Sequence, residues 1–521
     1  MEFPKNAKKP LFRIIVPAFP EVNIFTWAAR KTTPLGPITV ATAASSVWSW
    51  DAEVIDENNY NGPRDTAGLP DHEKLQKENP ASVVGFYCGL SSTMDRVFQL
   101  ARFYHERGTF NLAGSWHAHY LPKESLEHDI DVVVHGDADD AIRQILSRIS
   151  ERKPLADVPG ISFMENGLYR RNPPETLEVD LNSIPFPNFG LLRYSRKLKT
   201  YPINRVRGCN MNCEFCSVKG KPRWAEPERL FETVNWLVDT RGADYFFIVD
   251  DRLEENISGT IRFFEMVAEK YGRDLGFTVQ IRLESAKNQA FLEAMKKAGV
   301  KIVCVGFESP IDEDLKAMQK GYLSKNMVEW SRILRRYNFK VHGMFIFGYP
   351  HKKKVTELSA EEMVEKYKKF IREARISTVQ ILHPGPGVGS DLRKRLERED
   401  RLFPLDVAPW PRYDGSYALF APNNMTLAEL QDTPVEIMRW FYSSRSFFRI
   451  PLRTLSFPAH YLIRGWQHWY YGWWSDVVKC GGYLLIKQWL KRQKEDQFLS
   501  RLEEYSKERE SGPGNFPIIG D

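Results

Sequence analysis

Three cysteines stand close together in the segment RVRGCNMNCEFC, residues 205–216, where Cys209, Cys213 and Cys216 form a C-x3-C-x2-C pattern. In a chain with so few cysteines, the chance probability of this spacing is about one in a thousand. Clustered thiolates bind iron–sulfur clusters or zinc, but a structural zinc site normally uses four protein ligands. The remaining cysteines stand alone in the sequence: Cys88, Cys304 and Cys480. The pattern therefore favours an iron–sulfur cluster.

Three thiolates on a four-iron cluster leave one iron without a protein ligand. In this respect the segment resembles the radical S-adenosylmethionine (SAM) superfamily, in which the open iron binds the amino and carboxylate groups of SAM. One-electron reduction then cleaves SAM to a 5′-deoxyadenosyl radical. The resemblance implies that Cys209, Cys213 and Cys216 hold a [4Fe–4S] cluster, and that Phe215, before the third cysteine, lies beside the adenine of SAM.

A repeated strand and helix pattern continues beyond the cysteines. Six strands are predicted, with amphipathic helices between them: residues 201–206, 245–249, 277–281, 302–307, 341–347 and 378–382. Six such units resemble the partial (β/α)6 TIM-type barrel of the radical SAM superfamily. As in a full barrel, the chemistry is expected at the carboxyl ends of the strands.

Polar and glycine residues near these strand ends are the candidate contacts of SAM. The resemblance implies the following set: Asp250, Gln280, Arg282, Glu308, Gly343 and Gly348. The resemblance implies that Asp250 binds the SAM amino group, although the usual Gly-Gly-Glu sequence is absent. It also implies that Glu308 hydrogen-bonds the ribose. The alternative for every one of them is a hydrogen-bonded or salt-bridged barrel rim. No catalytic residue is assigned.

The first 165 residues alternate strands with helices, which indicates a parallel sheet covered by helices. The predicted strands are residues 12–19, 52–56, 82–88, 111–115 and 131–135, and the predicted helices lie near 38–50, 93–107, 122–128 and 139–152. This is a Rossmann-type pattern, whose ligands bind outside the carboxyl ends of the strands. No GxGxxG follows the first strand, so the fingerprint of a dinucleotide site is missing. The alternative is a scaffold domain without a ligand.

The order of segments in this region resembles the cobalamin-binding domain of many radical SAM enzymes. The segments are PLGPITVATA, AEVIDEN, VVGFYCGLSS, LAGSWHAHYLP and DVVVHGDADDAIRQIL. The resemblance implies a set of cobalamin contacts: Gly36, Ser91, Ser92, Gly114, His117 and Gly136. The Asp-x-His-x-x-G loop that ligates cobalt from below is absent, because residues 56–62 read DENNYNG. The corrin would then be held without a histidine on its lower face.

These patterns predict three domains joined by a linker. A Rossmann-like cobalamin-binding domain covers residues 1–165, a proline-punctuated linker with the sequence IPFP covers 166–194, and the radical SAM barrel covers 195–388. A mainly helical, basic and aromatic region covers 389–521. The expected fold class is α/β, and the arrangement resembles the cobalamin-dependent radical SAM family.

The carboxyl-terminal region has an unusual composition between residues 439 and 494. This stretch holds ten Lys or Arg against one acidic residue, Asp476, and six of the fourteen tryptophans. Basic residues with tryptophan fit an interfacial membrane element and also fit nucleic acid. The apolar residues around the tryptophans favour lipid: Leu462, Ile463, Leu484, Leu485 and Ile486. The alternative is a helical cap that packs its aromatic residues on the barrel.

The composition indicates a globular protein in a reducing compartment. Apolar residues make up 42% of the 521 residues, and six cysteines are too few for a disulfide scaffold. The segment Met1–Pro10 runs on without the apolar core of a secretion signal, and no stretch is long and apolar enough to span a membrane. We expect a cytoplasmic protein, with peripheral contact at the inner membrane face if the tail binds lipid.

The family resemblance includes methylases of unactivated carbons, hopanoid lipid methylases and the anaerobic magnesium-protoporphyrin monomethyl ester cyclase. It implies a radical SAM enzyme with a [4Fe–4S] cluster, SAM and cobalamin, which methylates an sp3 carbon of a hydrophobic or lipid-like substrate. Its partners would be that substrate and an electron donor of the flavodoxin or ferredoxin type, with no nucleic acid. The alternatives are radical ring closure or oxidation, and a cobalamin- or cluster-containing sensor without catalysis.

Overall fold

A computed structural model describes residues 9–20, 26–352, 358–457 and 466–511. The chain divides into two compact units, of which the first comprises Met1–Arg207 and Pro222–Asp250. The second comprises Gly208–Lys221 and Asp251–Asp521. The boundaries at residues 165, 194 and 388 stay predictions.

The first unit contains a seven-stranded sheet in the order β2-β1-β3-β4-β5-β6-β7. Its strands are β1 Leu11–Val16, β2 Asp51–Asp56, β3 Ala81–Tyr87, β4 Phe110–Gly114, β5 Val132–Val134, β6 Ile161–Glu165 and β7 Leu168–Arg171. The first five are parallel and match the five predicted strands. Their order is that of flavodoxin-like doubly wound sheets, which bind ligands where the order reverses, between β1 and β3.

The sequence interpretation missed β6 and β7, which extend the sheet with antiparallel pairing. The turn between them is Asn166-Gly167, and both residues have positive φ, 51° and 78°. An Asn-Gly pair favours the two-residue turn of a β-hairpin. The signal was therefore present in the sequence, immediately beyond the predicted end of the domain.

Helices cover this sheet because their apolar residues recur at helical spacing. They are α1 Thr26–Ala29, α2 Leu35–Ser45, α3 His72–Glu78, α4 Met94–His105, α5 Trp116–Tyr120, α6 Pro122–Leu126 and α7 Ala138–Glu151. In α7 the residues that face the sheet are fully or almost fully buried, for example Ile142, Ile145 and Leu146. Short helix α5 follows β4 directly and brings His117 to the carboxyl edge of the sheet.

The first unit ends with β8 Tyr201–Ile203, β9 Val206–Arg207, β10 Arg223–Trp224, α8 Pro227–Arg241 and β11 Tyr245–Ile248. Strands β8 and β11 pair in parallel, and β9 pairs with β10 antiparallel. Two arginines of β9 and β10, Arg207 and Arg223, both bind the carboxylate of Asp137, at 2.6 and 2.9 Å. The acid follows β5, so these ion pairs fix the short strands to the Rossmann-type sheet.

The second unit carries four parallel strands that pair in chain order: β12 Gly276–Ile281, β13 Val300–Glu308, β14 Lys340–Ile346 and β15 Thr378–Leu382. Helices alternate with them: α9 Ile257–Tyr271, α10 Gln289–Lys297, α11 Asp312–Ala317, α12 Met327–Arg336 and α13 Ala360–Glu373. Buried and half-buried residues alternate along β13 and β14, as they do in strands that carry one face toward covering helices. All six strands predicted from the repeat pattern are present.

The carboxyl-terminal part is mainly helical, as predicted: α14 Asp391–Arg398, α15 Leu427–Phe441, α16 Arg445–Leu455, α17 Trp466–Asp496 and α18 Phe498–Ser511. Phe498 and Leu502 of α18 are buried in a cluster with Phe403, Tyr417 and Leu419. The predicted α/β class with a helical carboxyl-terminal region is thus confirmed. Leu462 and Ile463 lie outside the described residues. Among the described residues, no helix is both long and apolar enough to cross a bilayer.

A buried histidine makes the stability of the first unit depend on pH. His135 follows β5 with no exposed surface, its Nε2 lies 2.9 Å from Ser162 Oγ, and its Nδ1 lies 3.4 Å from His119 Nδ1. Burial lowers the pKa of His135 to about 3, with smaller contributions from the charges of Arg171 and His119. In the unfolded chain the His135 imidazole therefore binds a proton near pH 6.5, whereas in the folded chain it stays neutral at that pH.

His135 by itself should therefore lower the unfolding free energy of the first unit by about 2 kcal/mol at pH 5 relative to neutral pH. The variant His135→Asn should lose this slope, measured by urea denaturation at pH 7, 6 and 5. The control His105→Asn changes a half-exposed histidine and should keep the slope. Equal slopes in His135→Asn and the unmodified protein would contradict the assignment.

Candidate active site

The three cysteines lie on an irregular loop at residues 208–221, with Cys213 buried and Cys209 and Cys216 half-buried. The loop begins at Gly208, whose φ of 86° suits glycine. The amide of Gly208 donates to Asp251 Oδ2 at 2.7 Å, and the amide of Asn210 donates to Glu255 Oε1 at 3.1 Å. The acidic segment 251–255 thus holds the backbone on both sides of the first cysteine.

A buried ion pair holds the middle of the loop. Glu214, between the second cysteine and Phe215, accepts from Arg395 Nε at 2.7 Å and from Arg395 Nη2 at 3.0 Å. The hydroxyl of Tyr349 donates to the same carboxylate at 2.7 Å. Only about 5% of Glu214 and 4% of Arg395 is exposed, so these contacts compensate a charge that water cannot reach.

Further contacts tie the loop to the start of α14. The amide of Leu392 donates to the carbonyl of Glu214 at 2.9 Å, and Ser217 Oγ donates to the carbonyl of Val388 at 2.7 Å. Lys219 Nζ donates to the carbonyl of Cys213 at 3.2 Å and pairs with Asp391. The position of the second and third cysteines is therefore set from residues that follow them by about 170 positions.

The chemistry of the three thiols fits a cluster better than a single metal ion. The described residues contain no group of three His, Cys, Asp or Glu side chains that could hold one ion. In a four-iron cluster each thiolate binds a different iron, so the sulfur atoms need not converge on one point. Burial raises the pKa values of the Cys209 and Cys216 thiols, and ligation would therefore release their protons.

Two of the proposed SAM contacts meet around a lysine that the sequence interpretation did not identify. Lys320 Nζ lies 2.6 Å from Glu308 Oε1, and Arg282 Nη2 donates to the carbonyl of Lys320 at 2.7 Å. Tyr322 donates to the carbonyl of Gly306 at 2.6 Å, and its ring lies 5.6 Å from the Arg282 guanidinium. Glu308 is held with a φ of 61°, in the left-handed region that non-glycine residues avoid.

The charges of Arg282 and Lys320 act beside the cysteine loop. Burial opposes the charge of Lys320, but the Glu308 carboxylate outweighs it and raises the lysine pKa, with a small contribution from Cys213. The pKa of Arg282 is also raised, against burial, chiefly by Glu284 and in small part by Cys213. Both cations therefore keep their charge close to the second cysteine. A small carboxylate-bearing ligand in that place would be attracted to them.

The other predicted SAM contacts have the following surroundings within their own units. Asp250, in the first unit, accepts from the amides of Arg205 and Val206 at 2.6 and 2.9 Å. Gln280 lies exposed near the end of β12. A side chain at Gly348, whose φ is 74°, would approach Leu430 Cδ1 to 2.4 Å. These assignments, which include Asp250, stay predictions.

Phe215 and Gly343 also lie in packed surroundings. The ring of Phe215 packs against a buried cluster that includes Tyr349, Leu392 and Leu396. A Cβ at Gly343 would meet Phe345 and Ile376 side chains at 2.9 to 3.1 Å. Glycine at this position is therefore required by packing within the second unit, whether or not adenine approaches the strand.

In the first unit, several proposed cobalamin contacts surround His117 at the carboxyl edge of the sheet. His117 is fully buried, with Nδ1 2.9 Å from Ser91 Oγ and Nε2 2.8 Å from Glu124 Oε2. Both ring nitrogens are thus engaged within the protein. Ser91 and Ser92 follow β3, next to the point where the strand order reverses. This is the edge at which doubly wound sheets bind ligands.

The three glycines of the cobalamin set differ in their surroundings. A Cβ at Gly136 would meet the Leu177 carbonyl at 2.3 Å, so packing alone accounts for this glycine. A Cβ at Gly36 would find Tyr87 only at 3.9 Å, and one at Gly114 would find the Val134 carbonyl at 3.8 Å. Gly36 and Gly114 therefore leave ordinary space at the sheet edge. The whole set stays a prediction.

The segment that would carry a cobalt-ligating histidine is used in internal packing. In DENNYNG, Asn59 accepts from the amide of Arg196 and donates to the carbonyl of Thr32, and the amide of Asn61 donates to the carbonyl of Tyr194. Burial raises the pKa of Asp56 to about 6. The loop is thus fixed by its own polar contacts, without a nitrogen ligand.

Comparison with known proteins agrees with this geometry. Residues 203–354 match the family model of the radical SAM superfamily. The chain contains a radical SAM domain. The match begins at the end of β8, includes all three cysteines and extends beyond β14. A radical SAM enzyme with a [4Fe–4S] cluster and SAM, as predicted from the cysteine pattern, is confirmed at the level of this domain.

Curated relatives extend the similarity beyond the domain. An uncharacterized methyltransferase of Pyrococcus horikoshii is 27% identical over 67% of this chain and 76% of its own length. The anaerobic magnesium-protoporphyrin IX monomethyl ester cyclase of Cereibacter sphaeroides is 22% identical over 67% of this chain and 58% of its own length. The hopanoid C-2 methylase of Rhodopseudomonas palustris is 28% identical over 43% of this chain and 42% of its own length.

Solved structures share the fold at low sequence identity. The cobalamin-dependent SAM radical enzyme OxsB, solved with aqua-cobalamin, matches with a TM-score of 0.63 and 12% identity over 94% of this chain and 81% of its own. The radical SAM methyltransferase TsrM of Kitasatospora setae, solved with cobalamin and a [4Fe–4S] cluster, matches with a TM-score of 0.60 and 16% identity over 76% of each chain. The predicted resemblance to cobalamin-dependent radical SAM proteins is confirmed.

The ion pair at Glu214 gives a test of how the cysteine loop is held. Removal of Arg395 in Arg395→Met leaves a buried carboxylate without its cation, so the second unit should lose about 3 to 5 kcal/mol of unfolding free energy. The loosened loop should also bind less iron and sulfide on anaerobic reconstitution. The control Arg398→Met, on the same helix, removes an exposed side chain whose Nε donates to the carbonyl of Lys394 and should cost about 0.5 kcal/mol or less.

A second variant separates charge from packing. Because both partners are removed together, Glu214→Leu/Arg395→Met should recover part of the stability lost in the single variant. Equal losses in Arg395→Met and Arg398→Met, in denaturation and in iron content, would contradict the anchoring role of this pair.

Proposed function

We propose that this chain is a cobalamin-dependent radical SAM methylase that adds a methyl group to an unactivated carbon of a hydrophobic or lipid-like substrate. The observation that carries the proposal is the C-x3-C-x2-C loop, fixed within a radical SAM domain by the buried Glu214–Arg395 pair. Two of the relatives named above carry methylation in their names. The hopanoid relative favours a lipid-like substrate.

The bound groups would supply the reactive chemistry: an electron from the cluster, a 5′-deoxyadenosyl radical from SAM and a methyl group from the corrin. The chain's own part is to hold and orient them. Cys209, Cys213 and Cys216 provide three ligands, while Arg282 and Lys320 provide positive charge beside them. We propose that Glu308, braced by Lys320, presents its carboxylate to the ribose of SAM.

For the first unit we propose that the corrin lies at the carboxyl edge of the sheet, near Ser91 and His117. Gly36 and Gly114 leave space at this edge, and the DENNYNG loop supplies no histidine. His117 would contact the periphery of the corrin rather than cobalt, because both its nitrogens already have partners. The proposed domain limits are those of the sequence analysis: 1–165, 195–388 and 389–521.

A second candidate is radical ring closure or oxidation, which the cyclase relative of Cereibacter sphaeroides favours. The two reactions use the same cofactors and differ in the product, since methylation adds one carbon and ring closure adds none. We further propose a cytoplasmic location and a flavodoxin- or ferredoxin-type electron donor, because the enzyme chemistry needs single electrons and a reducing compartment.

The function is tested by anaerobic reconstitution with iron, sulfide and hydroxocobalamin, followed by SAM with a labelled methyl group, reductant and a lipid extract. The unmodified protein should form 5′-deoxyadenosine and transfer label into a lipid. In Cys213→Ala the cluster lacks a ligand, so both products should disappear, while cobalamin absorbance bound to the protein is retained. The variant Cys480→Ala, changed in α17, should keep both activities.

The outcomes are distinct for each candidate. Label in a lipid supports methylation, and deoxyadenosine with an unlabelled, carbon-neutral product supports ring closure. A reconstituted protein that binds cobalamin and a cluster but forms no deoxyadenosine would be the non-catalytic sensor. Reductive cleavage of SAM by Cys213→Ala would show that the cluster assignment is wrong.

A further inference from the structure

Helix α16, Arg445–Leu455, presents apolar side chains to solvent. Phe448, Leu452 and Leu455 are 75%, 65% and 79% exposed, and their i, i+4, i+7 spacing places them on one face of the helix. Phe447, 42% exposed, lies beside this face, with its ring edge-on to Tyr483 of α17 at 5.9 Å. Large apolar residues that are contiguous and exposed mark interaction surfaces more often than isolated ones do. Phe448, Leu452 and Leu455 are called the α16 face below.

The opposite side of α16 is fixed to α17, so the exposed face is set by packing. Ser446 is buried, Arg453 Nε pairs with the buried carboxylate of Asp476, and Trp469 Nε1 donates to the carbonyl of Arg453 at 2.7 Å. Rotation of the helix to bury the α16 face would break these contacts. The apolar residues therefore point outward as a consequence of a specific ion pair.

Positive charge borders the α16 face. Arg445 and Arg449 are exposed, and at 100° per residue both project beside Leu452. The only acidic residue between positions 439 and 494 is Asp476, and Arg453 already neutralises it. An exposed apolar stripe with a border of arginines has the pattern of helices that lie in the interface of an anionic bilayer.

Three tryptophans of α17, Trp469, Trp473 and Trp474, pack against other parts of the second unit. Trp469 packs its ring edge against Phe457 at 4.8 Å and stacks with Trp473 at 6.2 Å. Lys340, at the start of β14, lies 4.0 Å from the ring of Trp474. These tryptophans thus hold α17 in the second unit, as the cap alternative in the sequence analysis expects. The most exposed apolar side chains of this region belong to α16, since Tyr470 and Leu484 of α17 are only 40% and 50% exposed.

We propose that the α16 face docks the protein onto an anionic lipid surface, with Phe448, Leu452 and Leu455 inserted among the acyl chains and Arg445 and Arg449 against the headgroups. Nucleic acid is disfavoured, since two of the three most exposed residues are aliphatic and offer no stacking surface. A second copy of the chain is disfavoured because its face would bring the same arginines together. This inference deepens the proposed function, as it names the surface from which a lipid-like substrate would be reached.

The test is flotation of the full-length protein with vesicles of phosphatidylcholine alone or with about one third phosphatidylglycerol. The unmodified protein should float with the anionic vesicles and only weakly with the neutral ones. Phe448→Ser/Leu452→Ser/Leu455→Ser should lose at least tenfold in partitioning, because it removes the inserted groups. Arg445→Gln/Arg449→Gln should lose about tenfold at low salt and little at high salt.

The matched control is Met164→Ser/Leu168→Ser, which removes two exposed apolar residues from the β6–β7 hairpin and should float as the unmodified protein does. Partitioning equal to the unmodified protein in the triple serine variant would overturn the proposal. So would flotation that does not depend on phosphatidylglycerol, salt-sensitive binding to RNA in place of vesicles, or a dimer that the triple variant dissolves.

Flotation and catalysis can fail independently. Cys213→Ala should bind anionic vesicles as the unmodified protein does, although it forms no deoxyadenosine. The triple serine variant should in turn still cleave SAM reductively, because none of its residues belongs to the cysteine loop. Vesicle binding without methylation in the unmodified protein would retain the docking surface and overturn only the proposed function.

Discussion

A carboxylate in the middle of the cysteine loop must be compensated where water cannot reach it. Glu214 meets this requirement with Arg395 and Tyr349, and in doing so it fixes a loop that has no regular secondary structure. A buried ion pair adds little net stability, but it is costly to break, so it defines one position for the loop. Cysteines on an irregular segment need contacts with other parts of the chain to hold them in one position, because the segment has no helix or strand hydrogen bonds of its own.

The charged residues beside the loop are also held by polar contacts with other residues. Lys320 compensates Glu308, and Arg282 is held by Glu284 and by the carbonyl of Lys320. Each group that binding would use is thus positioned by another polar group before any ligand arrives. This is the preorganisation that radical chemistry requires, since misplaced reactants would expose the radical to water and to side reactions.

In the first unit, buried polar groups fix short strands to the sheet and hold a histidine in place. Asp137 forms ion pairs with two arginines, which fix β9 and β10 to the sheet. The two ring nitrogens of His117 are hydrogen-bonded to Ser91 and Glu124. The DENNYNG loop has its own polar partners and leaves no histidine for cobalt. The residues proposed to hold a corrin at this edge would therefore be Ser91, His117 and their neighbours, without a histidine from this loop.

Local patterns in the sequence were sufficient for much of this protein. The spacing of three cysteines identified the cluster loop, and the alternation of strands and helices gave both parallel sheets, because these signals depend on residues close together in the chain. Even the missed β6–β7 hairpin carried a local signal at Asn166-Gly167. The proposed roles of Gly136, Gly343 and Gly348 stay predictions, because crowding by neighbouring side chains or carbonyls favours glycine at these positions with or without a ligand.

Only the tertiary structure decided which distant groups meet. Glu214 and Arg395 are separated by 181 positions, and no periodicity or motif relates them, since a buried charge can be compensated by a cation from anywhere in the chain. The same holds for Arg453 and Asp476, whose pairing turns the apolar side of α16 outward. Sequence determined the elements and predicted the ligand set, whereas the pairing of buried charges fixes the cysteine loop and the exposed side of α16.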